Sequence, residues 1–516
     1  MQFYQIQEPN THQTISNENG GCVAVGIDLG TTNSLIAVSR SGKVDIIEIE
    51  GNKLLPSIVY YSDGEVFVGS SAKAFSGAIN SVKRLIGKSH ADISTNTILP
   101  HLDITFKEGQ IDILAGKRSV SPEEVSAEIL KALKMAAEDS LKIDIRKAVI
   151  TVPAYFDDAA RNATQKAAKI AGLEVLRLIN EPTAAAFAYG MQNKAVGTFA
   201  VYDLGGGTFD ISILRMQYGV LKVIAVAGDL QLGGDDFDIE LLNFIISKHK
   251  LSMPSSENMS LALNEAKRIK EYLTYHEEWL GTDQDYFQGC CVTRSEFERA
   301  TEHLLKRTIS LFKKALKDAD CSTDGSCANL LDAIILVGGS TRMSCIKFEL
   351  EKEFSVNVLD SFNPDEIVVI GAAIQAEALY RGSDSDLLLD VTPLSLGIEV
   401  IGGLVEVIIP RNTPIPIEVN KMFTTSQDNQ TIFQLHVLQG ESEKVSFCRS
   451  LARFELSKIP KMPAGVPRLL ITFRVDADGI LMVFAEEINT GIKQSVEIRP
   501  SYGLSDETLK CLLTSN

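Results

Sequence analysis

The stretch Val201-Tyr-Asp-Leu-Gly-Gly-Gly-Thr-Phe-Asp210 holds two carboxylates, a hydroxyl and three consecutive glycines. Glycine has no Cβ, so the backbone N–H groups of Gly205, Gly206 and Gly207 can close on an anion at short range. Asp203 and Asp210 would put negative charge beside that anion, which is tolerable only with a hard cation nearby. The same plan occurs earlier, in Ile27-Asp-Leu-Gly-Thr-Thr-Asn-Ser34. There Asp28 is followed by Gly30 and the hydroxyls of Thr31 and Thr32. Either stretch alone could be an ordinary tight hairpin. As a pair they point to a cradle for phosphate oxygens and Mg2+, with Asp28, Asp203 and Asp210 meeting the metal mainly through its waters.

Two other stretches fail as binding motifs. Gly87-Lys-Ser89 looks like the tail of a P-loop, but Val82 stands where the leading glycine belongs. Asp476-Ala-Asp-Gly479 is too short for a calcium loop and reads as a hairpin turn.

The elements that must position the two cradles are legible in outline. Residues 23–38 and 201–214 both run apolar strand, turn, apolar strand, which reads as an internal duplication. Around the first, a strand at 148–152 leads to a helix near 157–171, a strand at 174–179, Asn180-Glu-Pro182 and a helix at 183–189. Around the second, a strand at 333–337 leads through Gly338-Gly339 into a helix, and Asn363-Pro-Asp-Glu366 precedes a helix at 367–379. Two α/β lobes with largely parallel strands follow, placing both cradles in one cleft. Residues 255–320 show helical apolar spacing, with 276–290 as their connection. Beyond the polar stretch Arg381-Gly-Ser-Asp-Ser-Asp386, short alternating strands are punctuated by Gly402-Gly403, Pro414, Pro416 and Asp428-Asn429, indicating an antiparallel β-sandwich. Ser505 can cap a last helix with Leu509, Leu512 and Leu513 on one face.

Bulk properties bound the function. A chain of 516 residues is long enough for two or three domains. A net charge of -17 argues against a nucleic-acid partner. The eight cysteines have no Cys-x-x-Cys spacing, which fits a reducing compartment better than a disulfide framework or a zinc site. The first 21 residues contain no Lys or Arg, unlike a signal or transit peptide. No apolar run approaches the roughly 18 residues of a membrane span. The expectation is a cytoplasmic protein without a membrane partner.

With Asn180-Glu-Pro-Thr-Ala-Ala-Ala186 and Val337-Gly-Gly-Ser-Thr-Arg342 added, the motifs resemble the signatures of the seventy-kilodalton heat-shock chaperones of the DnaK type. The likeness runs from residue 22 to residue 505. It implies a disordered arm (1–21), an actin-like ATPase domain of two duplicated lobes (22–383), a hydrophobic linker (384–390), a β-sandwich that grips extended peptides (391–501) and a truncated first lid helix (502–516), the family's helical lid being essentially missing. By resemblance Lys83 positions the attacking water, Glu181 lies near magnesium and that water, and Asp203 and Thr208 complete the catalytic set, Thr208 as a γ-phosphate contact. Alone, Lys83 reads as a solvated surface lysine. Gly338, Gly339, Ser340, Arg342 and Asp365 match the segment enclosing adenosine. Lys270 and Thr274 match further adenosine contacts, although Lys267 stands where the family has glutamate.

The resemblance makes Leu387, Leu388, Leu389 and Asp390 the linker that docks on the ATPase domain when ATP binds. Alone, the triplet could be the first strand of the sandwich. Pro153, Arg161 and Arg177 match positions that couple the domains or receive a J-domain. Ile398, Glu399, Val400, Ile401, Phe423, Ser426, Phe433 and Leu435 match the peptide groove, with Phe433 bulkier than the usual aliphatic residue and so narrowing it. Without the resemblance these apolar strand residues would be read as core.

Gly403-Leu-Val-Glu406, residues 409–416, 448–454, 462–465 and 500–504 resemble the HscA branch. That branch implies an ATP- and Mg2+-dependent chaperone with weak intrinsic ATPase activity, serving iron–sulfur cluster assembly. Its partners would be a J-domain co-chaperone and a proline-containing peptide of a cluster scaffold protein. The short connection at 276–290 resembles a branch that works without a dedicated nucleotide exchange factor. Two rival readings use the same parts: a general DnaK-type folding chaperone, and an actin-fold small-molecule kinase, against which the sandwich and linker argue.

Overall fold

The computed structural model describes residues 23–497, apart from short segments at 63, 76, 93–101, 108–109, 194, 218–219, 322–330, 361 and 383–386. The expected N-terminal arm and lid helix lie outside the described residues.

Two mixed sheets carry the first part of the chain. In one, the meander Ala24–Asp28, Asn33–Arg40 and Lys43–Ile46 is extended by Lys147–Val152 and Glu174–Asn180, both parallel to Ala24–Asp28. In the other, the meander Gly197–Leu204, Phe209–Gln217 and Val220–Asp229 is extended by Ala333–Val337 and Val358–Leu359, again in parallel. The strand order is the same in both. The central strands are buried on both faces, so they read as unbroken apolar runs rather than alternating ones.

Eight α-helices are found among the described residues: α1 (Pro122–Leu141), α2 (Asp158–Ile170), α3 (Glu181–Asn193), α4 (Gly234–His249), α5 (Ser256–Tyr275), α6 (Arg294–Cys321), α7 (Ser344–Phe354) and α8 (Ile367–Arg381). Local chemistry starts several of them. Ser121 and Glu124 form a reciprocal capping box before Pro122, and Asp157 caps α2 by accepting from Ala160 N at 2.9 Å. α3 and α8 cross between the two sheets, and glycine permits the approach. A Cβ on Gly371 would lie 1.9 Å from Ala184 O, and one on Gly26 would lie 2.1 Å from Ala373 N. α8 thus meets α3 and the strand Ala24–Asp28 backbone to backbone.

The connection between α5 and α6 is more ordered than its polar sequence suggests. Glu278–Leu280 and Cys291–Thr293 form a small hairpin anchored by buried Trp279.

Leu387–Val391 answers both readings of the apolar triplet. It pairs in parallel with Val220–Lys222 of the second mixed sheet, and through Asp390 and Val391 it pairs antiparallel with Pro414–Ile415. One strand therefore joins the α/β body to the sandwich. The sandwich consists of two antiparallel four-stranded sheets, ordered Leu404–Ile409, Leu396–Val400, Ile432–Gln439, Arg449–Ser457 and Ile417–Phe423, Leu469–Val475, Leu481–Glu487, Ile492–Glu497. Alternating burial, as along Leu469–Val475, turns one face of each sheet onto a shared core containing Leu396, Val437, Leu456, Phe473 and Val483.

Candidate functional site

Each cradle is a tight link between antiparallel strands. Asp203 faces Asp210 across one, and Asp28 faces Leu35 across the other. Gly205, Gly206 and Gly207 do not adopt positive φ, so their role is close approach rather than an unusual turn. A Cβ on Gly206 would lie 1.9 Å from Thr32 Oγ1, and one on Gly207 would lie 2.6 Å from Thr31 Cγ2. The two cradles press against each other across the cleft.

That cleft has a volume of about 390 Å³, within the usual size of a small-molecule site. Its walls bring together Asp28, Gly30, Thr31, Thr32, Lys83, Glu181, Asp203, Gly205, Gly206 and Thr208. Lys270, Thr274, Gly338, Gly339, Ser340, Arg342 and Asp365 line the same cleft. Gly207 lies against Thr31 beside the cleft, and Asp210 lies beneath it, 1% exposed.

Lys83 is not a solvated surface lysine. It is buried, ion-paired with Glu181, and its ammonium sits 6.0 Å from the Phe156 ring centroid. Asp28, Glu181, Asp203 and Asp210 crowd around it. Burial and then the Glu181 carboxylate push Asp28 up to about 7 and Asp210 up to about 8; the same two causes, in that order, hold Asp203 well above the usual carboxylate range. Thr151 Oγ1 donates to Asp28 at 2.9 Å, and Tyr155 N donates to Asp210 Oδ1 at 3.0 Å. Asp210 Oδ2 is buried without a hydrogen-bond partner. Crowded carboxylates and an orphaned oxygen suit a divalent cation. Among the described residues no group of three or more His, Cys, Asp or Glu that could hold a metal ion is found.

The second group is a scaffold of backbone and fixed side chains. Ser340 Oγ donates to Gly205 O at 2.9 Å, and a Cβ on Gly338, at φ +83, would lie 2.4 Å from Leu204 O. Arg342 is held by Asp365 at 2.6 Å and by Asn363 at 2.7 Å. The buried Lys270 ammonium is engaged by Asp238 and Gly234 O, each at 2.8 Å, and Thr274 Oγ1 donates to Lys270 O at 3.2 Å. Lys267 also lines the cleft.

A second set of residues gathers where the sandwich meets the α/β body. Arg161, 3% exposed, donates to Asn180 Oδ1 at 2.7 Å and to Asp478 O at 3.0 Å. Asn180 donates in turn to Asp390 Oδ2 at 2.6 Å, as Thr183 Oγ1 does at 3.2 Å. Leu388 packs against the buried cluster that includes Leu221, and Leu389 pairs with Lys222. Pro153 is buried, its carbonyl accepting from Phe156 N, and half-buried Arg177 acts on the Asp478 carboxylate through its charge. Sequence reasoning missed other members. Asp478, read only as a hairpin turn, accepts from Leu178 N at 3.1 Å. Arg449 reaches Gly87 O at 2.6 Å, Asp92 and Asp157, and Arg411 reaches Asp318 at 2.8 Å. Nothing local marks these residues, because their partners lie from 93 to 362 positions away.

The expected groove residues divide between core and surface. Ile398 and Leu435 are buried in the sandwich core, and Val400, Phe423 and Phe433 pack against it partly exposed. Ile401, 81% exposed, and Ser426 stand at the surface. Glu399 Oε2 accepts from His436 Nδ1 at 2.6 Å.

A family model described as Hsp70 protein matches residues 24–515. The chain is 46% identical to a chaperone protein HscA homolog of Colwellia psychrerythraea, over 99% of this chain and 83% of that one. Identity to the like-named proteins of Pasteurella multocida and Vibrio vulnificus is 46% and 47%, covering 100% and 99% of this chain and 83% of each relative.

Proposed function

The chain belongs to the Hsp70 family, and we propose that it is an ATP-hydrolysing chaperone of the HscA kind, serving iron–sulfur cluster assembly. The observation that carries this reading is the strand Leu387–Val391, which joins the sheet behind the nucleotide cleft to the sandwich. The shared strand order of the two mixed sheets supports two duplicated lobes of an actin-like domain, spanning 22–383, with 384–390 as linker and 391–501 as peptide-binding domain.

In this reading the cradle N–H groups and the hydroxyls of Thr31, Thr32 and Thr208 hold the phosphates, and Asp28, Asp203 and Asp210 hold hydrated Mg2+. The metal supplies charge neutralisation at the transferring phosphoryl group. Lys83 places a cation where negative charge develops, and Glu181 fixes its ammonium. Gly338, Gly339, Ser340, Arg342 and Asp365, with Lys270 and Thr274, enclose the adenosine. Lys270 acts there from a fixed position, since Asp238 and Gly234 O restrain it.

The contacts of Arg161, Asn180 and Asp390 tie the docked linker to the residue preceding Glu181. ATP favours docking, and a peptide held near Ile401, Phe423, Ser426 and Phe433 favours release, so each ligand weakens the other through one two-state element. Half-buried Arg177 would receive a J-domain co-chaperone in the cytoplasm, while buried Arg161 and Pro153 couple the domains. The scaffold protein's proline-containing peptide would be the client, with no dedicated exchange factor.

Single-turnover ATP hydrolysis, with and without a J-domain protein and scaffold peptides, tests the reading. Stimulation by both, with an array preference for proline-containing scaffold peptides, is expected. Broad binding of apolar heptamers would make it a general folding chaperone, and a phosphorylated small-molecule product would make it a kinase.

A further inference from the structure

The carbonyls of the glycine cradle are tied one by one. Gly205 O accepts from Gly234 N at 2.9 Å and from Ser340 Oγ, and Gly206 O accepts from Asp235 N at 2.7 Å. These partners belong to the same lobe as the cradle. Gly207 O is different, for it accepts from Arg84 Nε at 2.9 Å, across the cleft. A trans peptide is planar, so its N–H points opposite to its C=O. Holding Gly207 O therefore sets the direction of the Thr208 N–H.

Arg84 is itself tightly held. Its guanidinium is almost wholly buried and forms a two-pronged ion pair with Asp236, which also accepts from Gly233 N at 2.7 Å to start α4. Ser81, in the left-handed region at φ 52, turns its hydroxyl onto Asp235 Oδ2 at 2.7 Å. A non-glycine residue in that region is held there only by strong surrounding contacts. Residues 81–84 thus clasp the first turn of α4 from the opposite lobe, one position from Lys83.

We propose that Arg84 is a positioning residue: it couples closure of the two lobes to the orientation of the Thr208 N–H, and so to recognition of the terminal phosphate. The proposal rests on the nucleotide reading above. When the lobes part, Arg84 leaves Gly207 O and the peptide 207–208 is free to turn. Nucleoside triphosphate is then distinguished from diphosphate only in the closed form.

The test compares ADP with a non-hydrolysable ATP analogue on Arg84→Ala, Arg84→Lys and Asp236→Asn, each checked for a parent-like thermal transition. Arg84→Ala should weaken the analogue about 10-fold or more while leaving ADP within about threefold, the coupling expected of one buried contact between two sites. Arg84→Lys, able to reach Gly207 O or Asp236 but not both, should be intermediate. Asp236→Asn retains a capping residue and should show the same selective loss in weaker form. Equal weakening of both nucleotides would make Arg84 a merely structural clasp, and unchanged affinities in all three variants would also overturn the proposal. A parent protein that binds neither nucleotide would instead refute the nucleotide reading.

Discussion

Arg449 gives the sharpest measure of how firmly the sandwich docks. It lies on the sandwich strand Arg449–Ser457 but makes its contacts on the α/β body, with Gly87 O, Asp92 Oδ2 and Asp157, the residue that caps α2. The Arg449 side chain is 16% exposed and the Asp157 side chain 7%, so water competes weakly while the domains are docked. On undocking, both carboxylates regain water, and Asp157 keeps its capping bond to Ala160 N. The net loss on removing Arg449 is therefore that of one or two charge-assisted hydrogen bonds. At about 1.5–3 kcal/mol each, roughly 3 kcal/mol is a fair central value for Arg449→Ala. The docked fraction should then fall about 150-fold relative to the undocked one.

Linker amides provide the readout. Leu387–Leu389 pair with Val220–Lys222, and if undocking breaks that pairing their hydrogen exchange should report the same equilibrium. With ATP present, Arg449→Ala should lower linker protection by about two orders of magnitude, with no change at amides in the core of either lobe. Protection within about threefold of the parent, in a normally folded variant, would refute the view that Arg449 and the linker strand form one docking unit.

Three further outcomes follow from the same geometry. Lys83→Ala should leave ATP binding largely intact and slow hydrolysis by about 100-fold or more, and unchanged single-turnover hydrolysis would remove Lys83 from the chemistry. Asp390→Asn, or serine at Leu388 and Leu389, should abolish stimulation of hydrolysis by peptide while basal turnover persists; normal stimulation in steady-state assays would sink the coupling role of the linker. Docking should depend on pH in two windows. Burial in the docked form pushes Asp158, which accepts from Leu481 N at 2.8 Å and faces Arg161, Asn162 and Asp476, up to about 7 from its ordinary 3.8. The docked form therefore holds the extra proton, and docking strengthens as pH falls from 7 toward 5. Asp390 and Asp478, also raised by burial, act in the same direction. Burial and Arg449 bring Lys88 down to about 8, so the docked form holds fewer protons there and docking strengthens again as pH rises from 8 toward 10. X-ray scattering across pH 5–10 should show the most extended particles near pH 7–8, and a pH-independent radius would contradict both assignments.

The cradles were legible because their parts are local: in each stretch an aspartate, glycine and a hydroxyl lie within eight positions, and it is their repetition that marks the pair. Even there the reason for the glycines was only half visible, since the groups that exclude a Cβ from Gly206 and Gly207 are Thr32, Thr31 and Arg84 of the opposite lobe. Lys83 was invisible without the family resemblance, because its burial is decided by Glu181 and Phe156, far along the chain. Arg449 and Asp478 were invisible for the same reason, and a hairpin turn gives no sign that its aspartate accepts from Leu178 N. The segment Asn180-Glu181 shows why distance in sequence hides the mechanism. Asn180 accepts from Arg161, donates to Asp390, and is followed by the partner of Lys83. One peptide bond therefore separates the group that contacts the linker from the group that holds the Lys83 ammonium. Moving Asp390 away removes a buried acceptor from Asn180 and leaves its side chain held by Arg161 alone, and any backbone adjustment that follows reaches Glu181 directly. The coupling needs no long wire through the lobe, only the stiffness of the strand Glu174–Asn180 and the first turn of α3.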